Sequence, residues 1–272
     1  MAPLLAANYS SKLMRLLKDE PDIVDAVKVS EFYDEGYVSA YRNMPVRKPF
    51  VLHGVCQDSP LGRWPSLGSL EFRESIHMPS LRTAIDLCRP GYISAHLEHY
   101  AVDHPSPDEL LASLKQGAEF IREITGLPLH LENSYFYFSQ VGSVENAPYI
   151  CDPGFIREAL DATEARLLLD VAHAQVAAWH LGIPAEDYIR SLPLALVDEI
   201  HVSSPVVVDG ELRTRHAEMT KASYALLELV LRHVEVKAIS LEYGGVGPVF
   251  DAQTDIDALK RQLVRLRTIL SR

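Results

Sequence analysis

Apolar and polar positions along the chain alternate between two rhythms. Eight short runs rich in Val, Ile and Leu, at 4–9, 26–32, 50–55, 92–99, 127–134, 165–173, 197–204 and 236–245, have the pattern of buried strands. Between them lie longer segments with helical spacing or helical propensity, among them 10–20, 78–88, 106–124, 152–162, 220–233 and 255–270. The punctuation agrees. Ser106 stands as a helix cap before Pro107 and the early acids Asp108 and Glu109, and Gly126-Leu127-Pro128 ends that helix and opens the next strand. Strand followed by helix, eight times over, predicts a closed (β/α)8 TIM barrel filling 1–272 as a single domain, in preference to an open doubly wound sheet. No linker, low-complexity tract or repeat interrupts it. Residues 56–77, directly after the third strand, are the longest irregular stretch, and at the C-terminal mouth of a barrel such a loop is expected to act as a substrate lid.

Strand alternation then sorts the polar residues. One parity in each run faces the barrel axis, which pairs Val51 with His53, Ser94 with His96, His130 with Glu132, Leu168 with Asp170, Glu199 with His201 and Ser240 with Glu242. The second member of each pair ends its strand at the mouth where barrel active sites lie. His173, just past the sixth strand, and His216, in the long segment 208–219, join them. The set is His53, His96, Glu132, Asp170, His173, His201, His216 and Glu242, five imidazoles and three carboxylates. Taken singly, a strand-end histidine is usually a satisfied polar residue and a strand-end acid usually a loop cap. Eight sharing one end of the barrel are different, because three converging carboxylates need counter-charge. Metal ions supply it, and eight ligands exceed the needs of one ion, so two transition metals, or three, are expected, with a carboxylate bridging a pair. Imidazole with carboxylate suits iron, zinc or manganese and does not choose among them. Glu132, Glu242 and His173 are the candidate catalytic groups. His77, His99, His104, His180 and His233 fall at loop, helix or outward positions. His130 and Glu199 point inward one layer lower and are expected to meet beneath the metals.

Composition narrows the function classes. Hydrophobic residues make up 47% of the 272, enough for a sizeable core. A formal charge of −11 makes a nucleic-acid partner improbable, because binding a polyanion takes clustered Lys and Arg. Three widely spaced cysteines form neither a disulfide framework nor a metal knuckle, the N-terminus has no secretory pattern, and no apolar run reaches membrane-spanning length, so a cytoplasmic protein is expected.

With these residues in hand, the chain resembles the xylose isomerase-like barrel superfamily, which includes type IV apurinic endonucleases, sugar isomerases and epimerases, and multinuclear non-haem iron-dependent oxidative enzymes. The wording is most similar to the last group: Glu31-Phe32-Tyr33, His53-Gly54-Val55 followed by Gly62, Ser94-Ala95-His96-Leu97, Glu132-Asn133-Ser134-Tyr135, LLLDV at 167–171 and Glu199-Ile200-His201-Val202. The resemblance implies a first metal on His53, His96 and Glu132, and a second on Glu132, Asp170, His201 and Glu242. A third would take His173, His216 and an aspartate two residues before the latter. Thr214 stands there, which puts the third site in doubt and leaves substrate, water or Glu218 to complete it. A second departure is Ala172-His173, where that group usually has Asn-Asn. The activity implied is oxygen-dependent oxidation of a peptide or small thiol, the peptide brought by a presenting protein. Two alternatives use the same ligands. One is zinc-dependent phosphoester hydrolysis with Arg63, Trp64, Arg73, Arg213 and Arg215 offering an anion site, and the other is sugar isomerisation or epimerisation at a single metal bound by Glu132, Asp170, His201 and Glu242, with Glu132 or Glu242 moving the proton.

Overall fold

Each apolar run becomes a strand wherever it can bury both faces. In the computed structural model, which describes residues 3–29, 42–44, 46–57, 66–69, 71–98, 105–135, 147–244 and 254–271, the chain opens with β1 (Leu4–Asn8), α1 (Ser11–Asp19), β2 (Ala26–Val29) and β3 (Phe50–Leu52). Then come α2 (Phe72–Ser75), α3 (Met78–Cys88), β4 (Ile93–His96), α4 (Pro107–Thr125), β5 (Leu129–Glu132), α5 (Pro153–Thr163) and β6 (Arg166–Asp170). The rest is α6 (Val171–Leu181), α7 (Ala185–Ser191), β7 (Val197–Val202), β8 (Ser204–Val208), β9 (Glu211–Ala217), α8 (Lys221–Leu231), β10 (Ala238–Leu241) and α9 (Ile256–Leu270). Eight strands run parallel in the order β3-β2-β1-β10-β7-β6-β5-β4, with helices between them, and curl into a (β/α)8 TIM barrel. The seam between β3 and β4 is spanned by a side chain: Ser94 Oγ is hydrogen-bonded to His53 Nδ1 at 2.8 Å and accepts from Gly54 N at 3.3 Å.

Outward strand residues such as Leu5, Val27, Leu52, Ile93, Leu131, Leu169, Ile200 and Ile239 pack on the helices in one continuous core. Ala6, Ala26 and Val51 form a separate small cluster on the inner face. Helix ends follow their local chemistry: Ser106 and Glu109 close a capping box at the start of α4, and Gly126 ends that helix in the left-handed region that suits a residue without Cβ. Among the described residues no helix is long and apolar enough to cross a membrane. The three cysteines are free and buried.

Three expectations need correction. The run 165–173 stops as a strand at Asp170, and Val171 onward is helix α6; its apolar residues surround the helix because it is buried on most sides. The run 197–204 ends at Val202, and the chain then makes an antiparallel hairpin, β8–β9, turning at Asp209-Gly210, both of positive φ. The stretch 56–77 is not all loop, since it includes α2 and is closed at its base by a bridge between Gln57 and Ile76. Residues 58–65 and 70, with Gly62, Arg63 and Trp64, lie outside the described residues, as do Glu31-Phe32-Tyr33, His99 and His104.

Candidate metal centre

The mouth residues are positioned by the ends of strands. Asp170 closes β6 and caps α6, its Oδ1 accepting from the backbone N–H of His173 at 2.7 Å. An aspartate that must cap a helix three residues upstream of a histidine keeps both side chains in the same small space. Asn133, fully buried after β5, clamps the same spot: its Oδ1 accepts from Asp170 N at 2.8 Å and its Nδ2 donates to Asp170 O at 3.1 Å. His173 Nδ1 lies 2.9 Å from the Asn133 carbonyl, which only accepts, so this nitrogen carries the proton and Nε2 carries the lone pair of the neutral ring. His216 is aimed by a bulge. The β8–β9 register shifts between Ser204 and Pro205, and His216 takes a left-handed φ of 46°, which turns its Nδ1 to within 3.5 Å of Glu242 Oε2.

Glu132 is the hub. Its Oε2 meets His96 Nε2 at 3.1 Å and His53 Nε2 at 3.4 Å, and its Oε1 meets His201 Nδ1 at 3.3 Å and His173 Nδ1 at 3.6 Å. Two donor groups share it: His53, Glu132 and His201, and Glu132, Asp170, His201 and Glu242, with ligand atoms within 4.8 Å of one another in each. Glu132 Oε2 and Asp170 Oδ2 are buried and make no hydrogen bond. Buried carboxylate oxygens are seldom left so, and lone pairs converging on a common point fit a transition-metal ion with nitrogen and oxygen ligands. At the rim the His96 and His216 side chains are 33% and 32% exposed, whereas Glu132 and His201 below them are 1% exposed.

The electrostatics show what the cluster lacks. Burial alone would raise the Glu132 carboxyl, but the imidazoles of His96, His201 and His53 hold it well below the usual carboxylate range. Burial would likewise raise Glu242, and Lys28 with His201 pulls it well below that range. Asp170 is raised by burial and by the charges of Glu242 and Glu132, which together outweigh the lowering by His173 and His201. His201, which burial and Lys28 would lower, is driven up to about 10 by Glu242 and Glu132. His53 goes the other way, held well below its ordinary value by burial and Lys28, and so keeps a neutral ring able to ligate.

Of the eight expected ligands, five enter the two donor groups: His53, Glu132, Asp170, His201 and Glu242. His96 stands beside Glu132 Oε2 without joining a group. Among the described residues neither His173 nor His216 falls in a group of three or more donors. Thr214 lies in β9 opposite Pro205, and Glu218 turns to Arg261 at 3.3 Å, so neither stands in for the missing aspartate. Arg73 donates to the Gln116 carbonyl of α4 and lies over the Phe120 ring. His130 feels the charge of Glu199, which raises the imidazole against the lowering by burial, and each of the two side chains has further partners. His130 stacks on Tyr92 with ring centroids 3.7 Å apart and faces Asp198 at 3.5 Å. Glu199 accepts from the Tyr92 hydroxyl, from Ser240 at 2.9 Å and pairs with His201 Nε2 at 3.1 Å. Tyr92 thus connects the two residues that were expected to touch.

The sequence reading missed Lys28. It lies on β2 in register with Val51, so it shares the inward parity of Val51 and His53, and its Nζ donates to Glu242 and approaches His201 Nδ1 at 3.2 Å. The signal was present as a lone lysine inside the apolar run AVKV.

In fold, this parallel eight-stranded barrel with imidazole and carboxylate donors at its C-terminal mouth is similar to xylose isomerase-like TIM barrels. A xylose isomerase domain containing protein of Salmonella typhimurium LT2 superposes with a TM-score of 0.63 at 11% identity, covering 100% of this chain and 98% of that one. The IolI protein, whose structure has a bound zinc atom, gives 0.58 at 12% identity over 98% of each chain. Residues 17–262 match the family of the RiPP precursor modification enzyme MbnB/TglH/ChrH, and the chain belongs to that family. A UPF0276 protein of Rhizobium meliloti (strain 1021) is 32% identical over 166 residues, 57% of this chain and 49% of that protein. The chain thus aligns with about half the length of the curated relatives it matches.

Proposed function

We propose that this chain is a metal-dependent oxidoreductase that modifies a ribosomally made peptide, or a small thiol, at a cysteine side chain, with iron as the metal and a presenting protein delivering the peptide. The observation that carries the proposal is the donor set around Glu132, buried on the barrel side and open at the rim. Membership of a family of precursor-modifying enzymes points to a peptide substrate. When bound, iron would supply the redox chemistry that couples dioxygen reduction to oxidation of a thiolate.

The chain's own residues have definable tasks. Glu132 orients the ligands, while Ser94 fixes the His53 ring and Glu199 fixes His201. His173 Nε2 lies 3.9 Å from Asp170 Oδ2, where we assign it to receive the thiol proton of an incoming substrate. Glu132 and Glu242 both lie inside the donor groups, which commits their oxygens to an ion and counts against either as the mobile base of an isomerase.

The test is oxygen consumption. Protein purified without oxygen and loaded with Fe(II) is expected to take up dioxygen with a cysteine-containing candidate precursor and not with its serine analogue. Zinc-loaded protein that cleaves phosphoesters, beside iron-loaded protein that consumes no oxygen with any thiol substrate, would replace this reading by the hydrolytic one.

A further inference from the structure

A lysine inside a ring of metal donors needs a reason. Lys28 is 1% exposed, and its ammonium is bound to Glu242 Oε1 and lies 3.2 Å from His201 Nδ1. Both partners belong to the four-donor group of Glu132, Asp170, His201 and Glu242. A transition metal takes such ligands at about 2.0–2.2 Å, so an ion in that group needs the lone pairs that Lys28 uses and would sit beside a fixed positive charge. Lys28 cannot easily yield, because a buried ammonium without its carboxylate is costly.

On the other side of Glu132 the situation differs. His53 Nε2 and His96 Nε2 approach Glu132 Oε2, a buried oxygen with no hydrogen bond, while Lys28 directs its contacts to Glu242 and His201. We infer that Lys28 stands in for a second metal ion: the chain binds a single transition-metal ion beside His53, His96 and Glu132, and the lysine neutralises the acids on the far side of the ring. This rests on the metal-dependent reading above and goes beyond it by fixing the number of ions and giving Lys28 a positioning role.

The experiment counts metal. Full-length protein is loaded anaerobically with Mn(II), desalted, and assayed for metal per chain by mass spectrometry and for metal–metal coupling by electron paramagnetic resonance. Wild type is expected to hold one ion per chain with the six-line signal of isolated Mn(II). Lys28→Met is expected to double the content to two and to show an exchange-coupled pair. Two or more ions per wild-type chain would overturn the inference, as would one ion per chain in a folded Lys28→Met. Should that variant fail to fold, the wild-type ratio and signal still decide. No ion in the wild type would instead remove the metal-dependent reading itself.

Discussion

Asn133 holds Asp170 from both sides of one peptide position, donating to its carbonyl and accepting from its N–H. Truncating it leaves the Asp170 N–H of a buried segment unsatisfied, which costs about 1–3 kcal/mol, while the Asp170 carbonyl still accepts the first bond of α6. Asn133→Ala is therefore expected to lower stability by that amount in urea denaturation. The sequence quoted Asn133 within a motif but gave no reason for it. Its task is to bond backbone groups of another strand, and no hydropathy pattern encodes that. His53, Glu132, Asp170, His201 and Glu242 were legible for the opposite reason: strand parity alone puts their side chains inside the barrel. Lys28 obeyed the same parity and was overlooked because a lysine is expected at a surface.

Between elements, the approach of α4 to the chain after β3 depends on Gly117. A Cβ there would meet the Leu67 carbonyl at 2.3 Å and Leu67 Cδ1 at 2.8 Å. Alanine gains about 1 kcal/mol of helix propensity, but the carbonyl belongs to backbone and overpacking costs about 1–3 kcal/mol. Gly117→Ala is thus expected to destabilise by about 1 kcal/mol net, whereas Gly91→Ala, with nothing within 4 Å of its Cβ, should be close to neutral in the same melt. A second junction joins the ends of the barrel. Arg267 of α9 pairs with Asp25, whose Oδ2 also accepts from Leu5 N of β1 at 2.8 Å. Burial would raise the Asp25 carboxyl, but Arg267 and the Leu5 N–H outweigh it and hold the group below its ordinary value. A depressed carboxyl contributes stability above its unfolded pKa of about 3.9 and loses it as pH falls through the folded value. Asp25→Asn should therefore cost up to about 1 kcal/mol at neutral pH, modest because the pair is a third exposed, and should flatten the wild type's loss of stability below pH about 4, as read from thermal melts across pH. The elements themselves were readable from period and caps. What escaped was the division of apolar runs, as at Asp170, where strand passes into helix with no change in hydrophobicity.

For the molecule as a whole, the barrel puts its core on the outside of the strands and leaves the inside of the mouth polar, and there Asp170, raised by burial and by the charges of Glu242 and Glu132, lowers the stability of the metal-free fold. A ligand that binds only the folded form recovers this by mass action, about 2.7 kcal/mol at a hundredfold excess over its dissociation constant. For a domain of this size each kcal/mol moves the midpoint by about 2–4 °C, so stripping the metal with a chelator should lower Tm by about 5–10 °C, and returning Fe(II) or Mn(II) should restore it with a dependence on metal concentration. His53→Gln separates this from a general effect of chelator or salt. It removes one donor at the neutral, ligating imidazole while retaining volume and polarity, so its Tm should sit near the chelated wild-type value and respond little to added metal. An increment of equal size in His53→Gln and wild type would show that the ion binds elsewhere, and the arrangement around Glu132 would then need another explanation for its unbonded carboxylate oxygen.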